Sequence, residues 1–267
     1  MIQNDYFEDG VCVINNLITK EQAEYLQEQI TQYSSRNGED ANKIFTYPIS
    51  AFSFFDPRVY LRHKFNPAGT KVAINLLMLL KRSKFQDVKK KLDLGSCARI
   101  DSYLSYVSND DIIKWHCDQS YGGATDPGIY FNGTRENIPT SPVNKCFLNL
   151  TDVCYDNGAL NYLPKSHKIG IAIRSAFNSG ILQYSPFLSL EDAMRIIGEN
   201  IEVFLRQNLL SKEQIIFFLE KSRLALDNKD CFSMNVDAGS MVIFNDLGYH
   251  KGSAPKISQR AVVRYFY

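Results

Sequence analysis

The hydrophobic period changes several times along the chain, and each change marks an element. Val11, Val13 and Ile14 follow a turn at Asp9-Gly10 and read as a short strand. Thr19 is then an N-cap with Gln22 as its capping-box partner. Ala23, Leu26 and Ile30 recur at helical spacing and carry that helix through about Tyr33. Residues 34–70 are irregular, rich in Asn, Ser, Pro and aromatics. A second helical pattern runs roughly from Lys71 to Lys91, basic at its ends and apolar in its middle. Ala98 to Val107 and Lys114 to Asp118 read as strands. From Ser120 to Pro142, four glycines and three prolines predict a long surface loop.

The second half repeats the alternation. Lys145 to Val153 reads as a strand, Asp156-Asn157-Gly158 as a turn, and Ala159 to Leu163 as a further strand. Leu190 to Leu226 is the most helical stretch of the chain. Strand patterns return at Cys231–Val236, Ser240–Phe244 and Ala261–Tyr267. Many short strands with turn signals predict a sandwich or barrel, mainly β with flanking helices and a helical insertion near residues 190–226. The length, 267 residues, allows one large domain or two small ones. No repeat, low-complexity tract or linker divides it, so residues 1–267 are expected to form a single domain with the insert at about 186–228.

Composition excludes more than it selects. Thirty basic and 29 acidic residues leave a formal net charge of +1, which removes the electrostatic case for a nucleic-acid partner. Hydrophobic residues at 45% exclude a disordered chain. No apolar run is long enough to span a bilayer. The first residues, Met1-Ile2-Gln3-Asn4-Asp5, lack a basic and then apolar leader, so a cytoplasmic protein with no membrane partner is expected. The six cysteines show no CxxC pair and read as free thiols, mostly buried.

The chemistry therefore rests on four histidines. In Trp115-His116-Cys117-Asp118, strand alternation would aim His116 and Asp118 at one point, while Trp115 packs on the other face. An isolated His-x-Asp recurs by chance. His250 supplies the distant partner, presented past the end of the Ser240–Phe244 strand. Two histidines and one carboxylate with open positions are the ligand set of non-haem Fe(II) oxygenases. Arg260 follows ten residues after His250 and suits bidentate capture of a carboxylate, such as the far end of 2-oxoglutarate. Arg264 shares that strand face; it is either the anchor itself or the holder of an anionic group on the substrate. His167, after Pro164, reads as a hydrogen-bonded loop residue near the mouth, and His63 as a surface residue. Cys117, between two proposed ligands, would be oxidation-sensitive if exposed.

Four blocks in order resemble the phytanoyl-CoA dioxygenase family of Fe(II)/2-oxoglutarate-dependent oxygenases. They are Phe7 to Ile14 with the Thr19 helix, Trp115 to Asp118, Leu150–Leu160 with Pro164–Lys168, and Gly239–Phe244 through His250-Lys251-Gly252-Ser253 to Arg260. The resemblance implies a double-stranded β-helix (jelly-roll, cupin-like) barrel. It implies Fe(II) on His116, Asp118 and His250, with 2-oxoglutarate and O2 as cosubstrates. Arg260 would take the distal carboxylate of 2-oxoglutarate with Ser253 as helper. A polar residue on the Ala98–Val107 strand would add a contact; Tyr106 is preferred to Tyr103, which points to the opposite face. The implied reaction is hydroxylation of an unactivated C–H bond of a small-molecule metabolite, releasing succinate and CO2. Relatives that halogenate carry a small residue in place of the carboxylate, which Asp118 here retains.

The insert is long for the family, so no substrate can be borrowed; Lys165 stands where the family has glycine, a small change that does not touch the metal. The aromatic segments (Tyr47, Phe52, Phe54, Phe55, Tyr60; Tyr121, Tyr130, Phe131) are candidates for core or pocket lining. The alternative reading is a metal-binding barrel of another activity, an isomerase or hydrolase or a non-catalytic sensor, for which Arg260 would have no purpose.

Overall fold

Strand pairing carries the architecture. The computed structural model describes residues 2–3, 5–36, 45–48, 75–76, 78–95, 97, 99–108, 114–118, 144–185, 187–227 and 231–267. Within them the strands are β1 (Ile2–Gln3), β2 (Val11–Ile14), β3 (Phe45–Pro48), β4 (Arg99–Ser105), β5 (Asn144–Asn149), β6 (Leu160–Tyr162), β7 (Met241–Asn245), β8 (His250–Gly252) and β9 (Arg260–Phe266). Seven form an antiparallel sheet in the order β1-β2-β7-β5-β9-β4-β3, and β6 pairs with β8 in a second, smaller sheet. Single bridges at His116–His250 and Asn161–Ser233 widen the smaller sheet. This is the jelly-roll arrangement expected from the sequence.

Alternation sorts the strand residues onto two faces. Cys12, Ile14, Ile100, Leu104, Cys146, Leu148, Ile243, Val263 and Tyr265 point outward. There they meet Ala23, Leu26 and Ile30 of α2 (Lys20–Arg36) and Phe85 and Val88 of α3 (Ser83–Lys91). The inner face begins with Val11, Val13, Val242 and Phe244, packed on Leu160 and Tyr162 of the small sheet. It continues, by the same alternation, with Asp101, Tyr103, Ser105, Lys145, Phe147, Arg260 and Arg264. One sheet thus has a greasy outside and a charged inside.

The capping box expected at Thr19 is present: Thr19 N donates to Gln22 Oε1 at 3.1 Å and Gln22 N to Thr19 Oγ1 at 3.3 Å. The single helix expected to Lys91 is broken, with Arg82 extended before α3. Continuing from Leu76 and Leu79 without a break would turn Ser83 and Gln86 inward. The break resets the phase so that Phe85, Val88 and Leu92 are buried.

The helical insert lies where the pattern placed it. It contains α5 (Leu190–Glu199), α6 (Ile201–Arg206) and α7 (Lys212–Asp227), and it is preceded by α4 (Ser166–Asn178), a stretch to which the sequence pattern assigns no helix. Lys165, ahead of α4, lies in the left-handed region at φ 65, where glycine would be unstrained. Its backbone N–H donates to Asp9 O at 2.8 Å, and its ammonium meets Glu8 at 2.7 Å. Those contacts hold the strained turn without glycine. α4 through α7 build a second core with Trp115, Cys117, Phe187 and Tyr249. Among the described residues no helix is long and apolar enough to cross a membrane.

Gly170 of α4 lies against the turn that leads to His250: a Cβ there would stand 2.2 Å from Leu247 O. Gly170→Ala is expected to destabilise the fold by about 1–3 kcal/mol. Gly198→Ala on α5, where nothing lies within 4 Å, is expected to stabilise it by about 0.5–1 kcal/mol. Urea denaturation midpoints of the two variants check the contrast.

Candidate metal centre

The backbone brings the two distant histidines together before any side chain acts. His116 N donates to His250 O and His250 N to His116 O, both at 2.9 Å. Residues that exchange both hydrogen bonds sit directly opposite and project to the same face. On its far edge the segment is tied to the insert, with Cys117 N donating to Leu188 O at 2.8 Å. The expected strand from Lys114 to Asp118 is not continuous. His116 makes isolated bridges and the chain turns at Asp118, so the turn, rather than alternation, brings Asp118 back to the histidines.

His116, Asp118 and His250 converge, with donor atoms within 4.8 Å of one another. His116 Nε2 lies 3.5 Å from Asp118 Oδ1, and His250 Nε2 3.0 Å from Asp118 Oδ2. His116 Nδ1 lies 2.8 Å from Lys114 O and His250 Nδ1 2.9 Å from Gly248 O. A carbonyl can only accept, so each Nδ1 carries a proton and each ring presents its Nε2 to the centre. Burial, and then His116, press the His250 imidazole below its ordinary value, favouring the neutral form. Burial opposes ionisation of Asp118, but Lys145, His250 and His116 outweigh it and hold the carboxyl well below the usual range.

Two lone pairs and a carboxylate aimed at one point repel unless a cation joins them. Ligand atoms bound at about 2.1 Å in adjacent octahedral positions lie about 3 Å apart. The donor set and its spacing therefore fit a divalent metal.

The two arginines of β9 differ sharply. Arg264 is spent: its Nε donates to Asp101 Oδ1 at 2.6 Å and its Nη2 to Oδ2 at 3.0 Å. Its guanidinium also lies near the rings of Tyr103, Phe147 and Phe266. Arg260 is buried and its Nε has no hydrogen-bond partner. Burial first, then Arg264, push its pKa down to about 10, so it remains charged at neutral pH. Gly158 makes room for it: at φ 78, a Cβ there would stand 2.6 Å from Arg260 Cδ.

Ser253 is buried and its Oγ accepts from Asn161 Nδ2 at 2.7 Å, leaving its O–H free to donate. Tyr106 is not brought to the site. β4 ends at Ser105, and Tyr106 lies beyond it, 48% exposed. Tyr103 is the tyrosine of that strand that faces inward beside Arg264. His167 is no loop residue at the mouth; it is buried in the first turn of α4, against Gly10. Trp115 packs away from the histidines, as expected, its Nε1 donating to Ala225 O at 3.2 Å. No disulfide joins any two of the six cysteines, and Cys117 is fully buried, which shields it from oxidants. His63, Phe52, Phe54, Phe55, Tyr60, Tyr121, Tyr130 and Phe131 lie outside the described residues, as does the side chain of Tyr47.

Sequence reasoning missed Lys145, whose ammonium contacts Asp118, and Ser105, which stands opposite Arg260 with its hydroxyl buried and unpartnered. Both were legible from parity, since each shares a strand face with residues opposite the outward apolar set.

A family model described as phytanoyl-CoA dioxygenase (PhyH) matches residues 6–261. Two solved structures share the fold. SnoK, a non-heme alpha-ketoglutarate-dependent carbocyclase from nogalamycin biosynthesis, superposes with a TM-score of 0.52 at 11% identity, over 98% of this chain and 80% of SnoK. EctD from S. alaskensis with bound Fe superposes with a TM-score of 0.52 at 13% identity, over 98% of this chain and 73% of EctD. A search of curated proteins found no match.

The buried His167 makes the fold acid-sensitive. Burial, then the Lys168 charge, lower its pKa from 6.5 to about 4. Between those values the unfolded chain binds a proton that the native chain does not. The stabilisation is complete above 6.5 and is lost as pH falls toward 4, by up to about 1.4 kcal/mol per pH unit. In urea titrations across that range, His167→Gln is expected to show a shallower decline than wild type. Parallel declines would show that another group titrates.

Proposed function

The chain belongs to the phytanoyl-CoA dioxygenase family, whose members are Fe(II)/2-oxoglutarate-dependent oxygenases, and we propose that it hydroxylates an unactivated C–H bond of a small-molecule metabolite. In this reading His116 and His250 bind the metal through Nε2 and Asp118 through its carboxylate. Iron held there would supply O2 activation coupled to oxidative decarboxylation of 2-oxoglutarate to succinate and CO2. Retention of Asp118 leaves the ligand set full and favours hydroxylation over halogenation. The chain is taken as one catalytic domain of the cytoplasm, a placement with which cysteines not joined in disulfides are consistent.

The observation that carries the reading is Arg260. A buried guanidinium without a counter-ion costs several kcal/mol, and an anionic ligand offsets that cost. Arg264 already holds Asp101 in a fork, so Arg260 is the group free to take the distal carboxylate of 2-oxoglutarate. Ser253 retains a hydroxyl proton and is proposed as its helper. Ser105, across from Arg260, and the inward Tyr103 replace Tyr106 as candidate further contacts.

An anaerobic titration of 2-oxoglutarate into the Fe(II)-loaded protein, followed by its weak visible charge-transfer band, tests the reading. Wild type is expected to saturate. Arg260→Met is expected to weaken binding about 30-fold or more, roughly 2 kcal/mol. His116→Ala and Asp118→Ala are expected to lose the band and all succinate release. If Arg264→Met weakens 2-oxoglutarate while Arg260→Met does not, the anchor is Arg264. A metal-loaded wild type without the band argues for another activity.

A further inference from the structure

Lys145 is an unusual residue to find on the inner face of a barrel. It is the second residue of β5, directly across from Phe244 on β7 and Phe266 on β9. Its ammonium contacts Asp118 and lies 5.6 Å from the centre of the Phe266 ring. Among the described side chains, the inner face of the large sheet and the histidine cluster together contribute three cations, Lys145, Arg260 and Arg264. They contribute two carboxylates, Asp101 and Asp118.

The partners can be assigned one by one. Arg264 is neutralised by Asp101. Asp118 is taken by a divalent metal when one is bound, and Arg260 by the distal carboxylate of 2-oxoglutarate. A divalent metal and a dianionic cosubstrate cancel each other, so among the described side chains the loaded site retains the one positive charge in excess that it had before. The group left with that charge is Lys145, released from Asp118. A partly buried ammonium without a counter-charge is costly, and a ligand oxyanion repairs the deficit.

Position separates this cation from the cosubstrate anchor. Lys145 faces Phe266 at one end of β9, and Arg260 faces Ser105 at the other. Six residue steps of strand, roughly 20 Å between Cα positions, separate them. Phe244 and Phe266 flank the ammonium with apolar surface.

We propose that Lys145 receives an anionic group of the prime substrate, which assigns the enzyme to small organic oxyanions carried on an apolar body. The proposal rests on the metal and 2-oxoglutarate reading above. Binding, rather than turnover, tests it. The protein is loaded with Mn(II) and 2-oxoglutarate, and the methyl-proton relaxation of acetate is compared with that of its neutral isostere acetamide.

Bound Mn(II) is expected to enhance acetate relaxation at least about threefold more than acetamide relaxation in wild type and in Lys145→Arg. In Lys145→Met the difference is expected to vanish, while 2-oxoglutarate affinity stays within about threefold of wild type. Lys145→Gln serves the same purpose if the methionine variant is insoluble.

Equal responses to acetate and acetamide in wild type overturn the proposal. So does a Lys145→Met protein that still discriminates, or one whose 2-oxoglutarate affinity falls about tenfold or more, which would make Lys145 a cosubstrate ligand. A wild type that binds neither Mn(II) nor 2-oxoglutarate overturns the metal reading as well. Failure of the Lys145 variants alone leaves that reading standing.

Discussion

Two backbone hydrogen bonds between His116 and His250 are the constraint on which the site depends. They pair residues far apart in sequence and set both imidazoles on one face, with ring centres 4.5 Å apart. Lys114 O and Gly248 O, each two residues before its histidine, then fix both ring tautomers. The proton on Nδ1 is thus settled by main chain, without a dedicated acidic side chain behind either ring. Geometry and protonation state come from the same short stretch of pairing. Loss of the bridge would therefore disturb the position and the tautomer of both imidazoles together.

Electrostatics explains why the inner face can be charged at all. Asp101 and Arg264 stand directly opposite on β4 and β9 and form a two-pronged pair under aromatic rings. That pair is self-sufficient and holds β4 to β9. Arg260, four residues earlier on the same face, has no such carboxylate, and Gly158 keeps the space around its side chain clear. The contrast between a satisfied and an unsatisfied arginine on one strand separates the structural role of Arg264 from the ligand-binding role proposed for Arg260.

What was legible in the sequence followed residue type and order more than local geometry. His116, Asp118, His250 and Arg260 were visible because those residue types in that order suit one chemistry. The strand argument used to join His116 to Asp118 does not hold, since the chain bridges once and turns; the residues meet for a tertiary reason. Tyr106 was misplaced because strand ends are weakly encoded: β4 stops at Ser105, and the tyrosine of opposite parity is the inward one. α4 was hidden by Pro164 and by Lys165, a left-handed residue that is not glycine. Lys145 escaped notice because a lysine at a strand start ordinarily reads as solvent-facing. Its parity with Phe147 and against Cys146 and Leu148 was the available signal.

The insert has a structural task that its position between motifs does not suggest. Leu188 accepts from Cys117 N, Leu190 N donates to Trp115 O at 3.4 Å, and Trp115 Nε1 reaches Ala225 on α7. Tyr249, next to His250, donates its hydroxyl to Phe187 O at 2.7 Å and its N–H to Ser166 Oγ at 2.8 Å. The residues flanking both histidines are thus gripped from outside the small sheet by α4 and by the segment leading into α5. The small sheet is narrow, with β6 and β8 of three residues each, and could not by itself hold two ligands at fixed separation. The second core built by α4 through α7 supplies the missing stiffness. An insert that braces the ligand strand on one side is also placed to vary what approaches the metal on the other. Substrate range could then change through the insert only within the limits that its packing on Trp115 and Tyr249 allows.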